Sequence, residues 1–492
     1  MAEEIIINVS QHESRVAVVE QGLLQEIFIE RFHTRGTVGN IYHGKVARIL
    51  PGMQSAFVAI GHAKAAFMHI TDLMDSHKVM AKGRGSNTYP PIQEVIHEGQ
   101  ELLVQVTKEP IGTKGARITR NISLASRYLV YLPDTNHVGI SQRIEDEMER
   151  ERLKELLERI QGEDGFIVRT ASEGVSEEEI NKDARLLRTR WASIVEDGRT
   201  SKASSMVYED LPMPLRAMRD IINQNTQRIM VDSADTYSVL QCFLKDFIPD
   251  KESCLELVAN DVALFDDHNL EDQISHALDR KVPLISGGYL VIDQTEAMST
   301  IDVNTGAFVG RKDLEDTIYR TNLEAAAAIP RQLRLRSIGG IVILDFIDMA
   351  SEEHKRQVLR TLEKGQQLDR VKWRITQISE LGLVEMTRKR THESLLKMMC
   401  EPCEICSGRG VIKSAESVCL EIFREIQRNA SDFRHNSCLI MASQSIVDRL
   451  LDEDATCVSE LSSALEAQIR FQVEASYSQE QFDVVLTSNG KK

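Results

Sequence analysis

The chain has 492 residues, 42% hydrophobic and 27% charged, which excludes a mostly disordered polypeptide and leaves room for three or more domains. Lys and Arg number 59 against 75 Asp and Glu, a net charge of −16, so the whole surface lacks the basic footprint usual in nucleic-acid binders. Net charge does not decide the character of a single cleft, so the distribution along the chain has to.

No window approaches the ~18 apolar residues of a membrane span, and the acidic start, Met1-Ala-Glu-Glu-Ile, lacks the basic n-region and small-residue cleavage site expected of a signal peptide. The eight cysteines are too thinly spread for a disulfide scaffold, so a cytoplasmic location is expected. There is no internal repeat of the kind that makes solenoids or propellers. Glu4-Ile-Ile-Ile-Asn-Val9, Arg15-Val-Ala-Val-Val-Glu20 and the run 23–30 predict a three-stranded meander. Residues 37–125 hold short β runs broken by glycine. A charged helix over 145–160 and a strand over 166–170 follow, before Pro212 and Pro214 mark a boundary. Residues 214–276 read as α/β, with a strand at Arg228-Ile-Met-Val-Asp232 and a helix over 233–247. Three strands near 289–293, 298–304 and 341–345 come next. A helix over about 314–336 joins the last two, and Pro330 argues against its being unbroken. The final region shows helices and strands without an obvious site.

In the glycine-punctuated segment stand Gly39-Asn-Ile-Tyr-His-Gly44-Lys-Val-Ala-Arg48, Ser55-Ala-Phe57-Val-Ala-Ile-Gly61 and Ala66-Phe67-Met-His69. They look like an S1-type OB-fold barrel, whose face takes single-stranded nucleic acid. Such a face needs aromatic platforms for bases and cations for phosphates. Phe57, Phe67 and His69 are the candidate platforms, and Arg48, Lys114 and Arg117 the candidate cations. The barrel core is an equally good place for either phenylalanine on spacing alone.

The strongest chemical signal is Ser299-Thr-Ile-Asp302-Val-Asn304-Thr-Gly306 with Gly339-Gly-Ile-Val-Ile-Leu-Asp345-Phe-Ile-Asp348. Residues two apart on a strand share a face, so Asp302 and Asn304 point the same way. Asp345 ends an apolar run expected to be a strand buried in the manner of parallel sheets. Carboxylates at adjacent strand ends suit Mg²⁺, which takes one or two of them with water and substrate phosphate. Such an ion polarises a phosphodiester and helps generate a hydroxide nucleophile. The competing reading is that the acids cap strand ends; Asp293 and Asp348 are taken as structural. Three basic clusters, Arg331/Arg334/Arg336, Arg370/Lys372/Arg374 and Arg388/Lys389/Arg390, are expected to line a phosphate groove. Arg169 and Thr170 close a strand with a guanidinium fork and a hydroxyl, a set that can hold a terminal phosphate. A surface ion pair is the commoner fate of such an Arg.

Cys403-Glu-Ile-Cys406-Ser-Gly-Arg-Gly410 is a CxxC knuckle. Structural zinc wants four ligands, and one knuckle gives two. Cys400 could be a third, whereas two chains giving Cys403 and Cys406 would complete a tetrahedron. A redox CxxC would open a helix, and here glycines follow instead.

Together these residues resemble the ribonuclease E/G family over nearly the whole chain. The carriers include Asn40-Ile-Tyr-His-Gly-Lys, Ile122-Ser-Leu-Ala, Ile167-Val-Arg-Thr-Ala, Ile301-Asp-Val-Asn, Asn322-Leu-Glu-Ala-Ala, Arg331-Gln-Leu-Arg-Leu-Arg, Leu344-Asp-Phe-Ile-Asp-Met and Leu383-Val-Glu-Met-Thr-Arg. The extent of the chain, without a long disordered tail, points to the shorter branch of that family. The resemblance implies an α+β multidomain protein with an RNase H-like subdomain (1–36 and 216–279). An S1 OB-fold barrel (37–125) and a 5′-sensor (126–215) interrupt it. A DNase I-like α/β catalytic subdomain (280–399), a zinc link (400–414) and a small C-terminal dimerisation domain (415–492) follow.

By the same resemblance the protein is a Mg²⁺-dependent endoribonuclease cutting single-stranded RNA, with preference for 5′-monophosphorylated ends. It would act in rRNA 5′-end maturation and mRNA decay; a non-catalytic RNA-binding protein is the alternative. Asp302 and Asp345 would hold Mg²⁺, and Asn304 would place the scissile phosphate or the attacking water. Arg169, Thr170, Val130 and Lys372 would bind the 5′-phosphate, and Phe57, Phe67 and Lys114 the RNA. Cys403 and Cys406 would form half of a structural Zn²⁺ site shared within a homodimer, which could pair further into a tetramer. Two positions depart from the family pattern: Ser126 stands for Gly, and Lys372 for an Arg. A lysine offers a point charge without the fork, so discrimination of a monophosphate should be softer.

Overall fold

The computed structural model describes residues 2–34, 36–74, 89–110, 115–133, 135–160, 162, 164–258, 263–306, 314–379, 381–429 and 437–487. They form two compact units, residues 1–395 and 396–492.

The first unit opens with the expected meander, β1 (Glu3–Val9), β2 (Glu13–Glu20) and β3 (Leu23–Arg31). Next come β4 (Ile41–Leu50), β5 (Ser55–Ala59), β6 (Ala66–His69), β7 (Glu101–Lys108) and β8 (Arg117–Thr119). They pair in the order β4-β5-β6-β8-β7, and β4 also pairs with β7, so five strands close into a barrel. Ala56, Val58, Ala66, Met68, Val104 and Ile118 fill its interior.

A smaller sheet follows, from β9 (Leu124–Ala125), β10 (Leu129–Leu132), β11 (Val138–Ile140) and β12 (Gly165–Val168). It carries α1 (Glu147–Ile160) and a 24-residue helix, α2 (Glu177–Thr200), that the sequence reading did not single out. The signal was there: Ser176 accepts from the Glu179 amide, the Ser-x-x-Glu opening of a capping box. Strand β13 (Ser205–Tyr208) returns to the barrel beside β4.

Helix α3 (Met213–Ile221), β14 (Thr226–Val231), α4 (Ala234–Phe247) and β15 (Leu255–Leu257) rejoin the opening meander. The sheet order is β15-β14-β1-β2-β3, with β14 parallel to β1. Both faces are covered, which explains the unbroken Ile5-Ile6-Ile7. Ile5 and Ile7 face α3 and α4, while Ile6 packs with Leu264, Leu270 and Ile274 on the other side.

The last sheet of this unit contains β16 (Lys281–Pro283), β17 (Tyr289–Gln294), β18 (Met298–Asn304), β19 (Gly340–Asp345), β20 (Trp373–Ile375) and β21 (Leu383–Arg388). Its order is β16-β17-β18-β19-β21-β20. Helices α5 (Leu314–Leu335) and α6 (Glu352–Gln367) cover one face over Leu290, Ile301, Val303, Val342, Leu344 and Val384. The other face is open, which corrects the expectation for 341–345. Only β18 runs parallel to β19 while β21 is antiparallel, and burial alternates, with Ile341 48% exposed. The expected helix is continuous through Pro330. The proline ring lies against Gly365 of α6, where a Cβ would sit 2.3 Å from its Cγ. Close packing of two helices outweighs the single backbone bond that proline forfeits.

The second unit holds α7 (Ala415–Arg428), β22 (Ser437–Ala442), α8 (Gln444–Leu451), α9 (Ala455–Leu465), β23 (Gln468–Val473) and β24 (Phe482–Thr487). Its sheet runs β23-β22-β24 around a core of Val418, Ile422, Ile440 and Leu450. Among the described residues no helix is long and apolar enough to cross a membrane.

Candidate active site

Register places the acids. On the parallel pair β18–β19, Asp302 stands directly opposite Asp345, and both side chains lie on the open face. Asn304, two residues on, shares that face, and its amide donates to Asp302 Oδ2 at 2.8 Å. An open cleft of about 400 Å³ is lined by Asp302, Asn304, Asp345, Asp348 and Leu381. Burial, then the negative charges of Asp302 and Asp348, raise the Asp345 carboxyl above the usual carboxylate range. Such a donor set favours a cation. Among the described residues no three His, Cys, Asp or Glu side chains gather closely enough to hold a metal by themselves, so the acids line the cleft without closing a cage.

Two further residues shape this cleft. Asp348, taken as structural from sequence, belongs to its lining. Gly382 makes room for it: the glycine has φ +80°, and a Cβ there would lie 3.0 Å from Asp348 Oδ1. Asn322 of α5 is fully buried and grips the loop between the two acids. Its Nδ2 donates to the Ile347 carbonyl at 2.8 Å and its Oδ1 accepts from the Ile347 amide at 3.1 Å. Asp293, by contrast, pairs with Arg280 and stays structural.

The three basic clusters do not form one phosphate groove. Arg334 and Arg336 are buried, donating to Gln25 Oε1 at 2.8 Å and to the Asp279 carbonyl at 2.6 Å, and Arg331 reaches the Leu24 carbonyl. Burial pushes the Arg336 guanidinium down to about 10. Arg370 lies beside Glu3 and Glu26, and buried Arg388 is bonded through two nitrogens to Asp369. These side chains tie α5 and the six-stranded sheet to the opening sheet and to one another. Lys372, Arg374, Lys389 and Arg390 remain exposed. The sequence could not separate the two groups, because both are simply basic residues near one another.

On the barrel, Phe57 and Phe67 are cross-strand partners, half-buried and edge to face with ring centroids 6.0 Å apart. Their strand neighbours fill the core, so alternation turns both rings outward. Exposed Arg48 stands opposite Phe57, and Arg117 opposite Phe67, where its guanidinium is held by Asp72. His69 caps a helical turn, accepting from the Thr71 amide. Lys114 falls outside the described residues.

Arg169 ends β12. Its guanidinium donates to the Ser126 carbonyl and to Asp220 Oδ1, and Asp220 also accepts from Arg219. Ser126 is buried, and its hydroxyl donates to Asp183, whose pKa burial raises. The Thr170 hydroxyl meets that of Ser141 at 2.9 Å, and Lys372 donates to Gln142 Oε1 at 2.9 Å. Thr170 and Lys372 are therefore joined through one short loop, 141–142. Val130 sits on the neighbouring strand β10, opposite Ile167.

In the second unit Cys406 is 9% exposed and Cys403 open. The Gly410 amide donates to Cys406 Sγ at 3.4 Å, and this bond chiefly holds the thiol below the ordinary range. Gly408 and Gly410, at φ +81° and +74°, form the turn. The next helix starts only at Ala415, so the knuckle does not open it.

The sequence pattern of the Ribonuclease E/G family matches residues 123–391, more than half of the chain. The chain belongs to the ribonuclease E/G family. Residues 402–487 match that family's thioredoxin-like domain. Ribonuclease G of Salmonella typhimurium (strain SL1344) is 49% identical over 488 residues, 99% of this chain and 100% of that protein. Ribonuclease G of Haemophilus influenzae is 46% identical over the same length, covering 99% of each chain. Ribonuclease E of Escherichia coli (strain K12) is 35% identical over 460 residues, 92% of this chain but 43% of that protein. The protein is thus an endoribonuclease of mixed α and β structure with a closed five-stranded barrel, and it is most like the ribonuclease G members of the ribonuclease E/G family.

Proposed function

We propose that this endoribonuclease cleaves single-stranded RNA with Mg²⁺ held by Asp302 and Asp345. The observation that carries the reading is their opposed register on parallel strands, with Asn304 on the same face. The donor set fits the ion: two carboxylates in an open cleft leave room for water and phosphate oxygens, the coordination Mg²⁺ prefers. When bound, the ion supplies charge stabilisation at the scissile phosphate and a water of lowered pKa. The chain's own groups do the placing. Asn304 offers an amide to the phosphate or the attacking water, and Asn322 fixes the loop between Asp345 and Asp348. The products are 3′-hydroxyl and 5′-phosphate ends.

Around this centre, the outward Phe57–Phe67 pair supports stacking of bases on the barrel. Arg169, Thr170, Val130 and Lys372 serve as a pocket for a 5′-monophosphate. Asp220 already occupies part of the Arg169 fork and Lys372 lacks one, so the preference is moderate. The sheet order β15-β14-β1-β2-β3 supports an RNase H-like subdomain split between 1–36 and 216–279 around the barrel (37–125) and sensor (126–215). A DNase I-like catalytic subdomain (280–399), a zinc link (400–414) and a dimerisation domain (415–492) complete the reading. Amide bonding to Cys406 suits a thiolate ligand, and Cys403 with Cys406 supplies half of a zinc tetrahedron shared by two chains. The work in the cell is rRNA 5′-end maturation and mRNA decay in the cytoplasm.

The test is a 5′-monophosphorylated single-stranded RNA incubated with and without Mg²⁺. Asp302→Asn or Asp345→Asn should abolish cleavage and leave RNA binding largely intact. A variant cutting at near wild-type rate would overturn the assignment.

A further inference from the structure

The open face of the catalytic sheet carries a second feature beside the acids. Side chains directly opposite on neighbouring strands share a face, so two rows can be read across the sheet. One row is Lys281, Val291, Asp302 and Asp345; the next is Pro283, Tyr289 and Asn304. Tyr289 is thus the immediate cross-strand neighbour of Asn304. The Lys281 ammonium leans out of its own row and rests over the Tyr289 ring, 3.6 Å from its centroid. Lys281 is exposed, Tyr289 is half-buried, and among the described residues Lys281 makes no ion pair. Among the described residues its charge is engaged by the ring alone, a weak contact at an exposed site.

We propose that Lys281 and Tyr289 form a nucleotide subsite of the same sheet, the lysine holding an RNA phosphate within about three nucleotides of the scissile one and the ring supporting its nucleotide. This rests on the proposal that Asp302 and Asp345 are the cleavage centre. Two strand spacings separate Lys281 from Asp302, about 10 Å. A stacked strand advances ~3.4 Å per nucleotide, so the subsite lies within about three nucleotides of the cut. The geometry also suits exchange. An incoming phosphate replaces a weak cation–π contact without breaking a salt bridge, and it frees the tyrosine face for a base or sugar. In a chain of net charge −16, a cation about 10 Å from the acids, unpaired among the described residues, is a local inversion that draws the polyanion onto the sheet.

The experiment measures binding of a short single-stranded RNA to the full chain in Mg²⁺-free buffer, across a salt series, with cleavage in Mg²⁺ followed separately. Lys281→Gln should weaken binding severalfold and reduce the slope of log Kd against log salt by about 0.7, one phosphate contact. Tyr289→Leu should raise Kd at least about fivefold, the low end for a lost stack, while Tyr289→Phe retains wild-type affinity. Lys281 is on the surface, so its variant should melt with the wild type. Unchanged Kd and slope in Lys281→Gln would overturn the subsite, as would a lower melting temperature in Tyr289→Leu without loss of affinity per folded molecule. Wild-type protein that binds but fails to cut in Mg²⁺ would count against the cleavage centre instead.

Discussion

Replacing Phe57 or Phe67 by alanine separates two physical roles that one side chain can have. Both rings project from strands whose alternate residues, Ala56, Val58, Ala66 and Met68, are fully buried in the barrel. The folding cost of either change is then the loss of one edge-to-face partner, ~0.5–1.5 kcal/mol, rather than the ~3–5 kcal/mol of emptying a core. The binding cost is a lost base stack, ~1–3 kcal/mol, or about 5- to 150-fold in Kd. The two rings touch each other at 6.0 Å between centroids, so the double variant should lose less than the sum of the singles. Fluorescence anisotropy with a single-stranded RNA in Mg²⁺-free buffer gives Kd, and thermal melting of the same samples gives the folding cost. A stability loss in the core range with unchanged affinity per folded molecule would refute the outward placement.

Three further outcomes are expected. Arg169→Ala should bring cleavage of 5′-monophosphate and 5′-hydroxyl substrates close together, while Lys372→Arg should widen the gap by adding a fork; equal wild-type rates on both substrates would dismiss the pocket. Asp183 has its pKa raised by burial, so the folded state holds its proton more tightly than the unfolded chain. Its contribution is fully present below the unfolded pKa and is lost as pH rises through the folded one. Asp183→Asn should therefore lose less stability than wild type between acid and neutral pH, measured by denaturant unfolding; parallel pH curves would contradict this. Cys403→Ser or Cys406→Ser should give zinc-free monomers of reduced activity, whereas one zinc per chain on a stable wild-type monomer, by metal analysis with light scattering, would place the fourth ligand within one chain.

Local pattern determined much of this protein. Period-two alternation set out the meander and the barrel strands, and the two-residue spacing of Asp302 and Asn304 put them on one face. Motif spacing was enough to indicate the family, because glycines, acids and the CxxC occupy fixed offsets. Tertiary structure alone decided which charged residues are buried in the framework and which line the cleft. Arg334, Arg336 and Arg388 look the same in sequence as Lys372 or Arg374, yet the first three are buried against carbonyls, amides and Asp369. Asp348 joined the cleft, and Asn322 the loop beneath it, through contacts between residues distant along the chain. Pro330 kept its helix because Gly365 of another helix lets the two backbones close on the ring. Propensity and spacing act over a few neighbouring residues, whereas burial and charge pairing depend on segments tens to hundreds of residues apart, and only the folded chain brings those together.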